Sequence, residues 1–335
     1  MAVTLREIAE YTGLSKPTVT RVLGRDAHLF SPATRQRVFE AAAKLGYRVN
    51  SAAKAMNTGR FGCAALVMGY DTARSDLPIG MMMGMQDELA ARDMHLTVTR
   101  LPDEKLTSEG LVPKVLRENM ADGMMINYTH DIPERMLELI RTHHAPAVWV
   151  NTKLDSDCIY ADDVGGARLL TETLIQLGHR KIGYIKYDPA THHSTTDRRE
   201  GYTQAMRAAG LTPSVFSERV AFEDQMRVTH ELLGRRDRPT AVIVRPEDAT
   251  LFFYVAAQLG LHVPKDLSIS CIAGGWVRMC GMQVTSVLFP SREIGVEAVK
   301  MLVEKIERPD AELSPVCVPF QLDTGTSVAR LGQRS

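Results

Sequence analysis

The 335-residue sequence has no apolar run long enough to span a bilayer, and it opens on a polar, capped amphipathic pattern rather than a signal peptide. The expectation is therefore a cytoplasmic protein. Cysteine is sparse: Cys63, Cys158, Cys271, Cys280 and Cys317 show no CxxC spacing, which fits thiols kept in a reducing compartment rather than a disulfide scaffold. No P-loop, HExxH, GxSxG or GxGxxG motif occurs, so no motif argues for an enzyme. The pairs His143-His144 and His192-His193 are adjacent, and adjacent side chains diverge in a helix or a strand; neither pair is expected to hold a metal. The dense charge of Asp197-Arg198-Arg199-Glu200 reads as a ligand clamp or as surface salt bridges. No cofactor, tandem repeat or low-complexity tract is indicated.

The first sixty residues carry the strongest pattern. Thr4-Leu5-Arg6-Glu7 has the form of a capping box, and Leu5, Ile8, Ala9 and Thr12 follow at helical spacing until Gly13 stops the helix. Ser15 caps a second helix whose first turn, Lys16-Pro17-Thr18, tolerates proline because those amides have no helical partner. Val19, Val22 and Leu23 form its apolar stripe. Ser31-Pro32 opens a third helix, with Val38, Ala41, Ala42 and Leu45 inward and Gly46 at its end. Two short helices joined by a glycine turn, completed by a third, make a helix-turn-helix module, whose second helix enters the major groove. Charge agrees. Residues 1–60 hold ten Lys and Arg against four acids, a surplus of six, whereas the whole chain balances at 40 against 40. A basic head on an acidic body suits attraction to phosphate.

Beyond residue 60, about 275 residues exceed the usual single-domain size, so two lobes are expected. Short apolar runs at 63–68, 96–99, 124–126, 147–150, 182–185, 241–244 and 267–270 alternate with amphipathic stretches such as 80–92. Strand–helix alternation implies an α/β body of parallel sheets covered on both faces, with ligands in a crevice at the carboxyl ends of the strands. Met81, Met82, Met83 and Met85 lie at helical spacing and read as packing.

The strings Thr18-Val19-Thr20-Arg21-Val22-Leu23-Gly24 and Tyr47-Arg48-Val49-Asn50-Ser51-Ala52-Ala53-Lys54-Ala55-Met56 resemble the recognition helix and hinge of LacI/GalR-family regulators. Ala161-Asp162-Asp163 and Leu177-Gly178-His179-Arg180-Lys181-Ile182 extend the resemblance through the body. It implies a three-helix head at 1–48, a hinge helix or linker at 49–60, and a periplasmic-binding-protein-like effector and dimerisation domain at 61–335. The N-lobe would comprise about 61–160 plus 290–320, and the C-lobe about 161–289 plus 321–335, with crossings near Ala161, Phe289 and Phe320. The implied partners are a near-palindromic double-stranded operator, a second copy of the chain and a small-molecule effector.

The resemblance places base contacts on Lys16, Pro17 and Arg21. Arg21 is the best candidate for a guanine because its forked donors match O6 and N7. Thr18, Thr20, Ser31, Thr34 and Tyr47 are candidate phosphate contacts, or else caps and solvated residues. Asn50, Ala53 and Met56 fall in the hinge, where the family wedges an apolar side chain, usually Leu, between base pairs of the minor groove. Met56 fills that position here, Val49 replaces a common Pro and Lys54 a common Arg. In the crevice, Asn127 and Asn151 follow strand ends, and Arg198 stands where the family often grips sugar hydroxyls or a carboxylate. Three departures stand out. Arg245-Pro246-Glu247-Asp248 replaces a short polar pair, so that Glu247 takes the place of an Asp. Ala273-Gly274-Gly275-Trp276 replaces acidic residues, and Phe289-Pro290 replaces a Gln or Asp. Trp276 and Phe289 either stack on a ligand ring or belong to the core. The expected function is a ligand-controlled transcriptional regulator, most often a repressor, with a sugar or sugar derivative as the leading effector class. A purine or other ring-bearing metabolite is the alternative. A sugar-binding or sugar-processing protein with an accessory helix-turn-helix is the rival from another class.

Overall fold

The computed structural model describes residues 3–47, 59–71, 74–108, 115, 121–187 and 192–332, in two units that divide between Phe61 and Gly62. In the first unit, the Thr4 hydroxyl accepts the Glu7 amide at 3.4 Å and the Glu7 carboxylate accepts the Thr4 amide at 2.6 Å, starting α1 (Leu5–Thr12). Gly13, at φ +64°, ends it in a left-handed turn that side chains with a Cβ rarely adopt. Ser15 accepts the Thr18 amide at 3.2 Å to begin α2 (Lys16–Val22), with Pro17 in the first turn. A 3-10 turn at Arg25–Leu29 leads to α3 (Pro32–Leu45), capped by Ser31 and ended by Gly46. Ile8, Ala9, Val19, Val22, Val38, Ala41 and Ala42 close the small core.

The second unit runs β1 (Cys63–Met68), α4 (Ile79–Ala90), β2 (His95–Arg100), β3 (Gly123–Asn127), α5 (Glu134–Thr142), β4 (Ala147–Val150) and β5 (Cys158–Ala161). It continues with α6 (Asp163–Gln176), β6 (Ile182–Lys186), α7 (Ser194–Ala208), β7 (Ser214–Ser217), α8 (Phe222–Leu233), β8 (Ala241–Val244), α9 (Pro246–Gln258) and β9 (Ser268–Ala273). A hairpin, β10 (Arg278–Met279) and β11 (Met282–Gln283), precedes β12 (Thr285–Leu288), α10 (Ser291–Glu307), β13 (Val316–Val318) and β14 (Gln321–Asp323).

Two six-stranded sheets result, ordered β13-β5-β4-β3-β1-β2 and β14-β12-β9-β8-β6-β7. Every pairing within them is parallel except β12 with β14. The central strands are apolar without alternation because helices cover both faces; β3, β4, β8 and β9 are buried along their whole length. The chain passes from one sheet to the other after Ala161, after Leu288 and between Val318 and Gln321. Both sheets reverse their order beside the first strand of each lobe, at β1/β3 and β6/β8. That topology opens crevices at the carboxyl ends of those strands.

Helix packing is tight in both lobes. Met81, Met85 and Leu89 form the fully buried stripe of α4, whereas Met83 faces outward. Each buried side chain contributes on the order of 1.5–3 kcal/mol. A Cβ on Gly84 would sit 2.1 Å from the carbonyl oxygen of Arg292, and one on Gly295 2.1 Å from that of Met81, so α4 and α10 meet backbone to backbone. Gly201 gives α7 the same approach to α6, 2.1 Å from the Val164 oxygen. Among the described residues no helix is long and apolar enough to cross a membrane.

Candidate functional site

Helix α2 buries Val19 and Val22 and leaves Lys16, Pro17, Thr20 and Arg21 exposed. Arg21 approaches Asp26 through Nε at 3.0 Å and lies over the Phe30 ring at 5.4 Å. Both charges are about half exposed, so a base edge or phosphate can replace the carboxylate at a cost within about 1 kcal/mol. The small hydroxyls have local work as well. Thr18 pairs with Ser15 at 2.8 Å, Thr20 donates to the Lys16 carbonyl at 2.9 Å, and Ser31 accepts the Thr34 amide at 3.2 Å while pairing with its hydroxyl at 2.9 Å. Ser31 is exposed and Thr34 half-buried. Tyr47 is half-buried, and burial raises its phenol pKa. Asn50, Ala53 and Met56 lie outside the described residues.

The second constellation is built at the strand ends of the body. Asn127, fully buried at the end of β3, donates from Nδ2 to the Asp76 carbonyl at 2.8 Å. Its own carbonyl accepts from Ser75 at 2.7 Å. Asn151, just after β4, adopts φ +58°, a left-handed conformation that Asn tolerates better than most residues, and its amide donates to Ile159 at 2.8 Å. Asp163 opens α6 and is buried; its Oδ1 accepts from Arg198 Nε at 2.6 Å. Arg198 also lies over the Phe320 ring at 5.8 Å, and Phe289 meets Phe320 edge to face at 5.9 Å.

Sequence reasoning missed Asp163, His192 and His193. The two histidines do not diverge as expected: they occupy the turn before α7 rather than a periodic element, and their rings pack at 4.0 Å between centroids. His192 Nε2 donates to the Asn151 carbonyl at 3.1 Å, and its edge meets His130 at 6.4 Å. His193 Nε2 stands 3.8 Å from Asp163 Oδ2 and its ring meets Tyr160 edge-on. Burial lowers both imidazole pKa values; that of His193, further lowered by His192, falls to about 4. At neutral pH both rings are uncharged.

The remaining expected residues are dispersed. Glu247 is exposed; the inward carboxylate is its neighbour Asp248, held by Arg245 at 2.9 and 3.1 Å. Trp276 is 73% exposed on the loop after β9, so it is not a core residue, and Phe289 is half-buried against Phe320. In the run at 197–200, Asp197 pairs with Lys153 at 3.0 Å and Arg198 with Asp163.

Asn127 Oδ1, Asn151 Oδ1, Asp163 Oδ2 and His193 Nε2 are buried without a hydrogen-bond partner. Among the described residues, buried side-chain atoms in this condition are confined to the ends of β3 and β4, the start of α6 and the turn before α7. Leaving such atoms unsatisfied costs about 1–3 kcal/mol each, which marks a place built to be filled.

A helix-turn-helix unit and a two-lobed parallel α/β unit with a polar crevice together define a DNA-binding regulator with a ligand-binding body. The comparisons agree. Residues 4–50 match the model of bacterial regulatory proteins of the lacI family, and residues 171–328 match a periplasmic binding protein-like domain. The ribose operon repressor of Haemophilus influenzae is 26% identical over 334 residues, covering 94% of this chain and 97% of its own. The transcriptional repressor PurR of Aliivibrio salmonicida is 26% identical over 321 residues, with 91% and 92% covered. The crystal structure of the Lac repressor dimer bound to operator and the anti-inducer ONPF superposes with a TM-score of 0.76 at 21% identity, covering 98% of this chain and 100% of that one. The chain belongs to the LacI/GalR family of transcriptional regulators.

Proposed function

We propose that this regulator binds a near-palindromic operator as a homodimer, in the cytoplasm on the nucleoid, and acts there as an effector-controlled repressor rather than as an enzyme. Lys16, Pro17 and Arg21 read bases, and Thr18, Thr20, Ser31, Thr34 and Tyr47 contact phosphates. Asn50, Ala53 and Met56 engage the minor groove. An effector in the crevice between the lobes controls operator affinity only through its preference for one of two body conformations.

The observation that carries the effector site is the set of unsatisfied buried atoms at the carboxyl ends of β3 and β4 and at the starts of α6 and α7. Its chemistry narrows the occupant. Asn127 Oδ1 is fixed as an acceptor because Nδ2 is committed to Asp76, and Asp163 Oδ2 and Asn151 Oδ1 also accept. An occupant must therefore supply several donors. It need not bring negative charge, since Asp163 already balances the charge of Arg198. Uncharged, hydroxyl-bearing molecules of the sugar class satisfy this. A bare purine, with ring acceptors beside its donors, satisfies it less completely, although Phe289 and Trp276 offer it rings.

The test is selection of genomic fragments by the full-length protein at about physiological salt. A recovered near-palindrome with half-sites about one helical turn apart supports the regulator reading; only salt-sensitive, sequence-independent binding argues against it. For the effector, neutral pentoses and hexoses, their phosphates, and purine bases are compared for release of the selected DNA. Release by a phosphate ester that its neutral parent does not cause would overturn the acceptor-lined site and its neutral, donor-bearing occupant.

A further inference from the structure

The turn before α7 and the segment after β4 belong to opposite lobes, and His192 joins them. Its Nδ1 faces the Ser194 amide at 3.2 Å and the Ser194 hydroxyl at 2.8 Å. A backbone N–H can only donate, so Nδ1 carries a lone pair and the proton of the neutral ring resides on Nε2. That proton is then directed at the Asn151 carbonyl, 3.1 Å away. Both ring nitrogens are thus committed, one to the start of α7 in the C-lobe and the other to the N-lobe residue whose own Oδ1 is buried and unsatisfied. The Lys153–Asp197 ion pair, 3.0 Å, spans the same two segments but is partly exposed and correspondingly weak.

We propose that His192 is a positioning residue that staples the two lobes together and fixes Asn151 for the effector, and that the staple releases on protonation of its ring. Protonation puts a proton on Nδ1, where the Ser194 amide already points a donor; that repulsion pushes the ring from its seat, and the bond to the Asn151 carbonyl, which by itself favours the cation but less than burial disfavours it, goes with the ring. The surroundings do not rescue the cation. His193 packs on the ring at 4.0 Å and His130 meets its edge. Arg198 on α7 disfavours the charge, while Asp163 on α6 favours it but is itself neutralised by Arg198. Lys153 and Asp197, from the two stapled segments, pair with each other. Burial dominates and lowers the His192 pKa. The open form takes up a proton near the ordinary value of about 6.5, and the stapled form only at lower pH. Closure is therefore fully favoured above that value and weakens as pH falls below it.

Hydrogen exchange on the full-length protein tests this without any effector. Amides of residues 151–160 and 192–200 are followed at pH 7.5 and 5.5, with intrinsic rates corrected, in the wild type, His192→Gln and His192→Ala. All three, the wild type at position 192 included, are followed in a His193→Gln background, because an opened chain would also bind a proton at His193, whose value in the folded chain falls to about 4. The wild type is expected to lose protection in both segments together at pH 5.5, with about tenfold as the ceiling for one pH unit below 6.5. His192→Gln, which keeps a donor but cannot titrate, should exchange alike at both pH values. His192→Ala should show about tenfold faster exchange in both segments at pH 7.5, the equivalent of one hydrogen bond. Wild-type protection that does not change with pH overturns the proposal, as does acid loss persisting in His192→Gln. Unaltered protection of residues 151–160 in His192→Ala also overturns it. If the alanine variant does not fold, the wild type and His192→Gln decide the question alone.

Discussion

Arg198 reaches Asp163 through Nε at 2.6 Å, and the carboxylate side chain is 1% exposed. A carboxylate that deep survives because it has a cation, so the arginine has a structural duty before it has any contact with a ligand. Arg198→Ala should therefore cost about 3–5 kcal/mol in urea unfolding, the penalty for stranding a buried charge. Asp163→Asn/Arg198→Ala should recover most of that loss. A single variant with wild-type stability would mean that Arg198 does not sustain the carboxylate. His193 yields a pH prediction. Its pKa is lowered from 6.5 to about 4, chiefly by burial. Between those values the unfolded chain binds a proton that the folded chain refuses, so stability falls as pH falls, by at most about 3 kcal/mol. Urea midpoints from pH 7 to 4.5 should show this decline, and His193→Gln should flatten it; identical slopes would remove His193 from the balance.

At the level of elements, the long apolar strands were readable in advance because parallel strands buried on both faces leave uninterrupted runs. Cys63–Met68 and Ala241–Val244 have the bounds expected of them. The head was readable for a different reason: Thr4, Ser15 and Ser31 cap their helices locally, so the chemistry that ends each helix lies within three residues of it. The two-residue strands β10 and β11 carry too little periodicity to announce themselves. The crevice was half legible. Asn127 and Asn151 were found because they follow strand ends. His192 and His193 were discounted because adjacency means divergence only on a periodic backbone, and their backbone is a turn. Asp162 and Asp163 look alike in sequence, yet one caps α6 through the Gly165 amide at 2.8 Å and the other is buried beneath a residue 35 positions away. Glycine holds the helix pairs together on the same long-range logic. Gly295→Ala and Gly201→Ala would each drive a Cβ to 2.1 Å from a carbonyl oxygen on a facing helix. Each should lower stability by about 1–3 kcal/mol in urea unfolding. No loss in either would mean that the helices can part without cost.

For the molecule as a whole, charge divides between head and body: residues 1–60 carry a surplus of six positive charges and the remainder an equal deficit. Phosphate attraction therefore belongs to the head, and the body contributes self-repulsion from the same polyanion. Two consequences can be measured. Operator affinity of the intact protein should fall steeply with salt, the slope counting neutralised phosphates, and Lys16→Ala should reduce that slope by about one if Lys16 meets a phosphate. A chain beginning at Gly62 should lose operator binding while keeping its response to any molecule that releases the intact protein from DNA. In the proposed function the hinge at 49–60 links the two activities. If Met56 wedges between base pairs, Met56→Ala should weaken operator binding by a few kcal/mol, on the order of the unstacking and wrapping energies involved, while leaving non-specific binding near its wild-type value. Wild-type operator affinity in that variant would reduce the hinge to a tether. The effector's influence on the heads would then have to travel through dimer geometry rather than through order and disorder in the hinge itself.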